Sequence, residues 1–476
     1  MRANKKKLLA MGLSVALAIG CLSGCGGNGG STDTKKPEAK NDNGGSSTKK
    51  KIDDLGGINV LIGDWYTTDE VGETDYAKAT EKYRKDIQTQ HNFKIKRSNE
   101  YSYTDMQETY VNGVMSQSPS CQLFYLYQEM VSAPLMRGLM KDLSKLPEFD
   151  FSEEKWNPTV TEIMSIGNGI WGMSNESEPR GGVFFNKRML KDAGIDPDEP
   201  YDLQKAGKWT WDKFEDYCKK LTVDTDGDGK TDQYALASFS KYYLPMCAAN
   251  NMATFVSRNK DGKYENATGT SEFLYAMNWG MSLMDKGYIM PKPNGAAWDW
   301  YKAAFRDGEV AMQTAEVYEI SAFASMDDEW GFVMFPYNQK SKDKNITNKT
   351  TPNDNIIVMP SCTKDEDAEK IAAAFDLYTE ATPGYTLDDR WKETYLEQFK
   401  DTRAVDETLQ MMTEQEHKQT SYLPLINDLD YGDFCYSVYA GATKPKKKIE
   451  EISAQWDSKI SDMNKKYANF AATHSK

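Results

Sequence analysis

Ile58-Asn59-Val60-Leu61-Ile62-Gly63 runs directly into Asp64-Trp65-Tyr66. A run with one polar side chain, β-branched at alternate positions and closed by glycine, reads as a buried strand. Ala77 to Gln90 then shows the spacing of a surface helix, and Phe93-Lys94-Ile95-Lys96 alternates like a half-buried strand. Tyr103 to Met115 predicts a second helix. Leu123 to Leu126 predicts another apolar strand, ending at Tyr127-Gln128. Strand, helix, strand, helix, strand is the rhythm of an α/β sheet. Ligands of such sheets lie in the crevice beyond the carboxyl ends of the strands. Asp64, Trp65 and Tyr66 fall just past the first strand, and Tyr127 and Gln128 just past the third, so all five are expected to face that crevice.

Further strands are expected at Gly182–Phe185, Val310–Met312, Gly331–Phe335 and Asn355–Met359. The first of these leads through Asn186-Lys187 into a short helix ending at Gly194. A helix is predicted from Asp365 to Tyr378. Ile449, Ile452, Trp456, Ile460, Met463 and Tyr467 recur at steps of three and four, which is one apolar stripe on a long C-terminal helix packed on a core.

The amino terminus has a different character. Lys5, Lys6 and Lys7 precede an apolar run from Leu8 to Ile19, the parts of a secretory signal. That run is too short to span a bilayer. Leu22-Ser23-Gly24-Cys25 resembles a bacterial lipobox, which implies lipidation at Cys25 and a chain held at the outer face of the cell membrane. Residues 26–51 are rich in Gly, Ser, Thr, Asp and Lys and are expected to form a flexible tether.

The 476 residues suffice for two domains with a substantial core. A net charge of -14 argues against a nucleic-acid partner, which would need a basic face. Beyond Cys21 and Cys25, the five cysteines (Cys121, Cys218, Cys247, Cys362, Cys435) are scattered without a C-x-x-C pair, so they form neither a disulfide framework nor a zinc site. They are expected to be mostly small buried residues, with one disulfide left open. No nucleophile elbow, zinc-protease helix or phosphate loop is present. His91 and His417 both sit among polar neighbours and read as solvated surface residues, so no enzyme is expected. The 27 Tyr and 11 Trp supply flat apolar faces with polar tips, the chemistry a sugar site needs, although most aromatics serve cores.

Several blocks, in order, resemble the extracellular solute-binding proteins of the sugar-binding, maltose-binding-protein-like group. They are Gly63-Asp64-Trp65, Val183 to Gly194 (VFFNKRMLKDAG), Lys208 to Phe214 (KWTWDKF), Phe305 to Met312 (FRDGEVAM), Phe332 to Pro336 and Ile356 to Pro360. The resemblance implies an α/β, two-lobed periplasmic-binding-protein-like fold with a hinge (type II). One lobe would comprise 52–160 and 350–425, the other 161–349 and 426–476. It further implies a monomer that captures a sugar, and partners in the permease subunits of an ABC importer. A binding protein for a non-sugar solute and a secreted glycoside hydrolase are the alternatives. The chain departs from the group at Cys121-Gln122-Leu123-Phe124, where many members carry an acidic residue, so that contact is not carried over.

Other ligand candidates follow. Arg180 precedes the Val183 strand and could donate a bidentate hydrogen bond or form a surface ion pair. Tyr242 and Tyr243 resemble the position of an aromatic platform in the group, as does Tyr318, with Glu316 as a polar neighbour. Trp298-Asp299-Trp300 would suit a sugar face with one anchored hydroxyl, or else both Trp are core at a helix start. Finally, Asp224-Thr225-Asp226-Gly227-Asp228-Gly229-Lys230-Thr231-Asp232 matches a calcium loop: carboxylates at Asp224, Asp226, Asp228 and Asp232, a glycine for the sharp turn, and the Lys230 carbonyl. Position twelve is Ala235 rather than Glu, so the loop is incomplete. A structural Ca2+ is the expected cofactor, with an acidic turn as the plain alternative.

Overall fold

The computed structural model describes residues 49–50, 52–67, 72–176, 179–341, 346–352 and 354–474, all within the unit Ser47–Lys476. The signal segment, Cys25 and nearly all of the tether lie outside the described residues. At the tether's end, the Lys50 amide donates to the Pro147 carbonyl at 2.9 Å, and the Lys49 ammonium lies 2.7 Å from the Asp376 carboxylate.

The strands are β1 (Ile58–Gly63), β2 (Phe93–Ser98), β3 (Leu123–Leu126), β4 (Ser165–Ile166), β5 (Gly169–Ile170), β6 (Gly181–Asn186), β7 (Tyr234–Ser238), β8 (Val256–Arg258), β9 (Tyr264–Asn266), β10 (Val310–Glu316), β11 (Trp330–Met334) and β12 (Ile356–Val358). The first sheet has the order β12-β3-β1-β2, with β12 antiparallel to β3 and the rest parallel. The second has the order β11-β6-β10-β7, parallel only between β10 and β7. β4 with β5, and β8 with β9, form short ribbons.

Sequence pattern accounts for these placements. β2 lies at a sheet edge, where Phe93 and Ile95 turn inward and Lys94 and Lys96 turn to water. β3 and β6 are buried throughout. Glycine at the start of β6 has a packing reason: a Cβ on Gly182 would collide with the Phe332 ring and the Val333 carbonyl of β11. The helix Asp75–Gln90 starts where the Thr74 hydroxyl accepts from the Ala77 amide at 3.0 Å.

The C-terminal helix Pro445–His474 buries Ile449, Ile452, Trp456, Ile460, Met463 and Tyr467, the stripe expected from the sequence. The Tyr467 hydroxyl donates to the Leu425 carbonyl at 2.8 Å. The chain leaves the side of the first sheet between β5 and β6 and returns between β11 and β12. Asn157 ties the two crossings together: its side-chain amide donates to the Glu176 carbonyl and to the Asp354 carboxylate, each at 2.7 Å.

The five described cysteines are free thiols, all buried except Cys362, which is half-buried. His417 corrects the sequence expectation. It is buried, not solvated, because its segment pairs with the second crossing through a Thr350–Lys418 bridge. No helix among the described residues is long and apolar enough to cross a membrane.

Candidate functional site

A cleft of about 720 Å³ opens between the carboxyl ends of the two sheets. Tyr127 and Gln128 reach it from the end of β3, Phe239 and Tyr242 from the end of β7, and Glu316 from the end of β10. Gln419 to Gly432 contributes much of the remaining wall.

Aromatic rings extend each wall. On the side of the first sheet, Tyr127 meets Tyr103 edge-on at 5.7 Å, Tyr103 meets Trp65 at 5.6 Å, and Trp65 meets Tyr66 at 5.4 Å. On the side of the second, Tyr242 meets Phe239 at 5.1 Å, and Phe239 meets Trp298 at 5.7 Å and Tyr436 at 5.8 Å. The Tyr242 and Tyr318 hydroxyls pair at 2.7 Å. Large rings are ordinarily buried, yet Tyr66, Tyr318 and Trp298 expose 41%, 49% and 59% of their surface.

The candidates separate clearly. Tyr127, Gln128, Tyr242 and Glu316 line the cleft, whereas Trp65, Tyr66, Trp298 and Tyr318 lie outside its lining and connect to it through ring and hydroxyl contacts. Asp64 does not present a free carboxylate. It is fully buried, and Arg97 Nε donates to it at 2.6 Å, the Thr67 amide at 2.8 Å and the Tyr66 amide at 2.9 Å. Burial alone would raise its carboxyl, but Arg97 and these donors hold it below the usual carboxylate range. Gln128 is buried and donates to the Asp354 carbonyl at 3.2 Å, bracing the second crossing. Tyr243 is a core residue whose hydroxyl donates to the Gly280 carbonyl at 2.9 Å; it lies one position from the cleft-lining Tyr242, on the inward face of the helix Ser240–Ala249. Trp300 packs against the core, and Asp299 sits at the start of the helix Trp300–Arg306. Both line a separate depression instead of the cleft. The Arg180 carbonyl accepts from the Val317 amide at 3.2 Å, which places Arg180 beside Tyr318.

Sequence reasoning missed Phe239, which lines the cleft, and Tyr103 and Tyr436, whose rings pack on the lining residues Tyr127 and Phe239. Tyr103 was read as a helix residue, and Tyr436 comes from the helix Tyr431–Tyr439, remote in sequence from either sheet. Beneath the second wall, Glu319 is buried. The Tyr301 hydroxyl donates to it at 2.9 Å, and the Gln313 amide and the Lys302 ammonium each approach within 3.3 Å. Burial pushes its carboxyl up to about 7, against the pull of Lys302. Burial likewise pushes the Tyr318 phenol up to about 12 and raises that of Tyr242. Both hydroxyls therefore stay neutral at physiological pH and can donate or accept.

Comparison with known proteins bears on this site. The family described as bacterial extracellular solute-binding protein matches residues 82–383, more than half of the chain. The chain belongs to that family. This solute-binding protein also resembles several solved structures at low identity. The cyclic alpha-maltosyl-1,6-maltose binding protein of Arthrobacter globiformis superposes with a TM-score of 0.62 at 15% identity, covering 86% of this chain and 100% of that one. An ABC substrate-binding protein of Listeria monocytogenes in complex with cycloalternan gives 0.57 at 16% identity, covering 86% and 98%. The sugar-binding protein MalE of Xanthomonas citri gives 0.60 at 11% identity, covering 85% and 98%. These likenesses establish the fold as that of type II periplasmic binding proteins. A comparison with curated protein sequences gave no match. Membership of a binding-protein family, rather than of a hydrolase family, answers the enzyme alternative.

The acidic loop of this solute-binding protein lies at the surface. Carboxylate oxygens of Asp224, Asp226 and Asp232 lie within 4.8 Å of one another. Gly227 and Gly229 hold φ of 78° and 87°, a conformation that glycine adopts without strain. Asp224 accepts from the amides of Gly227 at 2.7 Å and Gly229 at 2.9 Å. Asp228 does not join the group but turns to the Lys230 ammonium at 2.9 Å. Three converging carboxylates are an all-oxygen donor set that fits a hard cation.

Proposed function

We propose that this solute-binding protein captures a neutral carbohydrate, an oligosaccharide in length, and delivers it to the permease subunits of an ABC importer. The observation that carries this reading is the cleft with the Tyr127 ring on one side and the Phe239 and Tyr242 rings on the other, each backed by further aromatics. Sugars present flat C–H faces to rings and hydroxyls to polar rims, and the neutral Tyr242–Tyr318 pair suits an uncharged solute. Two structural neighbours carry oligosaccharides in their descriptions, which supports the same class. Each hydroxyl left unmatched in the closed cleft would cost about 1–3 kcal/mol, so hydrogen bonds set selectivity and rings set affinity.

In this reading the two sheets centre two lobes, and the crossings β5–β6 and β11–β12 form the hinge. Ligand touching both walls favours the closed form by its differential affinity. The protein acts as a monomer on the outer face of the cell membrane, held by lipid on Cys25 and spaced from it by the tether. The Asp224–Asp232 loop holds a structural calcium ion through Asp224, Asp226 and Asp232.

Calorimetry and small-angle scattering with a panel of neutral oligosaccharides, amino sugars and peptides test this reading. A neutral oligosaccharide is expected to bind without turnover and reduce the radius of gyration. Binding confined to peptides or charged solutes would overturn it.

A further inference from the structure

The turn at 414–419 is laced to the second crossing. The Thr350 amide donates to the His417 carbonyl at 2.8 Å, and the Gln419 amide to the Thr350 carbonyl at 2.9 Å. This pairing leaves the His417 ring 4% exposed. Its Nδ1 lies 2.8 Å from the Asn348 backbone carbonyl. A carbonyl can only accept, so Nδ1 carries the proton donated there, and Nε2 is the ring nitrogen left to bind a metal. Nε2 makes no hydrogen bond among the described residues. It faces two carboxylates instead, Glu416 Oε1 at 3.6 Å and Glu414 Oε2 at 3.8 Å.

We propose that Glu414, Glu416 and His417 form a binding site for a divalent transition-metal ion of the zinc type. Ligand atoms about 2.0–2.2 Å from a tetrahedral ion stand roughly 3.4 Å apart. The two spacings from Nε2 need only a slight contraction to reach that, and all three ligand atoms lie within 4.8 Å of one another. The fourth position is left to water. One imidazole with two carboxylates suits zinc rather than calcium, which takes oxygen ligands.

The support behind the imidazole is that of a metal ligand. Such histidines donate their second ring N–H to a carbonyl or carboxylate that fixes the ring. Here that carbonyl belongs to Asn348, whose own side-chain amide donates to the Phe335 carbonyl at 2.8 Å and to the Trp209 carbonyl at 3.2 Å. The Lys349 ammonium bonds the Glu416 backbone carbonyl and braces the turn.

The chain contains three histidines, so imidazole 15N resonances can be followed one by one. The full chain, carrying no histidine tag and stripped with chelator, is titrated with zinc at neutral pH. One ion per chain is expected, with a shift of the His417 Nε2 resonance and no displacement by millimolar calcium. Glu416 is exposed, so Glu416→Gln should keep the metal-free melting temperature while weakening zinc binding at least tenfold; Glu414→Gln should do the same. His417 resonances indifferent to zinc would overturn the site and leave a simple imidazole–carboxylate cluster. Wild-type zinc affinity in both Gln variants would overturn it equally.

Discussion

The Tyr242 and Tyr318 hydroxyls meet at 2.7 Å and join the helix that follows β7 to the helical turn that follows β10. The pair splits the role of ring and hydroxyl. Tyr318→Ala removes a half-exposed ring and should weaken oligosaccharide binding by about 1–2 kcal/mol, roughly a tenfold rise in Kd. Tyr318→Phe keeps the ring and should lose less affinity while changing the order of preference among sugars. Calorimetry on both variants checks this; equal losses would show that the ring contributes nothing.

Asp64 and Arg97 form a buried ion pair that fixes the base of the wall on the side of the first sheet. Asp64→Ala strands the guanidinium and should destabilise the fold by about 3 kcal/mol. Urea unfolding reads the loss as a lower midpoint, and a change below about 0.5 kcal/mol, the range of an ordinary surface substitution, would contradict the assignment. Because the Asp64 pKa is depressed in the fold, this stabilisation is present above the unfolded carboxylate pKa. It fades as pH falls through the folded value.

Glu319 works in the other direction. Its carboxyl is raised to about 7 in the fold from an ordinary value of 4.5. The folded protein therefore binds the extra proton between those limits. The contribution is fully present below the ordinary value and is lost as pH rises through 7, by up to about 3 kcal/mol. Glu319→Gln should flatten that part of the stability profile. Denaturation midpoints from pH 4.5 to 8, compared between wild type and variant, decide it; parallel profiles would refute it.

The acidic loop gives a fourth test. Calcium at a hundredfold excess over its Kd should stabilise the protein by about 2.7 kcal/mol. Asp226→Ala should abolish that gain, and Asp228→Ala should largely spare it, since Asp228 is engaged with Lys230. Thermal melts with calcium and with chelator give the comparison, and an identical response in both variants would count against the three-carboxylate geometry.

The sequence carried the strands well because their signals are local. The apolar run at Leu123–Leu126 and the alternation at Phe93–Lys96 each determine burial from a few neighbours. The site was legible only in part. Asp64 was expected to face the crevice, but β1 and β2 pair so that Ile62 stands opposite Arg97, and that register brings the guanidinium onto the carboxylate. No local pattern reveals a cross-strand register. Phe239 and Tyr436 meet across nearly two hundred positions of sequence, and their contact depends on tertiary packing alone. His417 looked solvated because its neighbours are charged; its burial comes from Asn348 and Thr350 on the crossing.

β12 pairs with β3, yet all of β6 through β11 is made between them. A ribosome therefore finishes the entire second sheet while the first still lacks an edge, and the Pro445–His474 helix arrives later still. Contacts so distant in sequence form slowly. A polypeptide whose first sheet closes last ripens late and stays pliable long after its first strands are made.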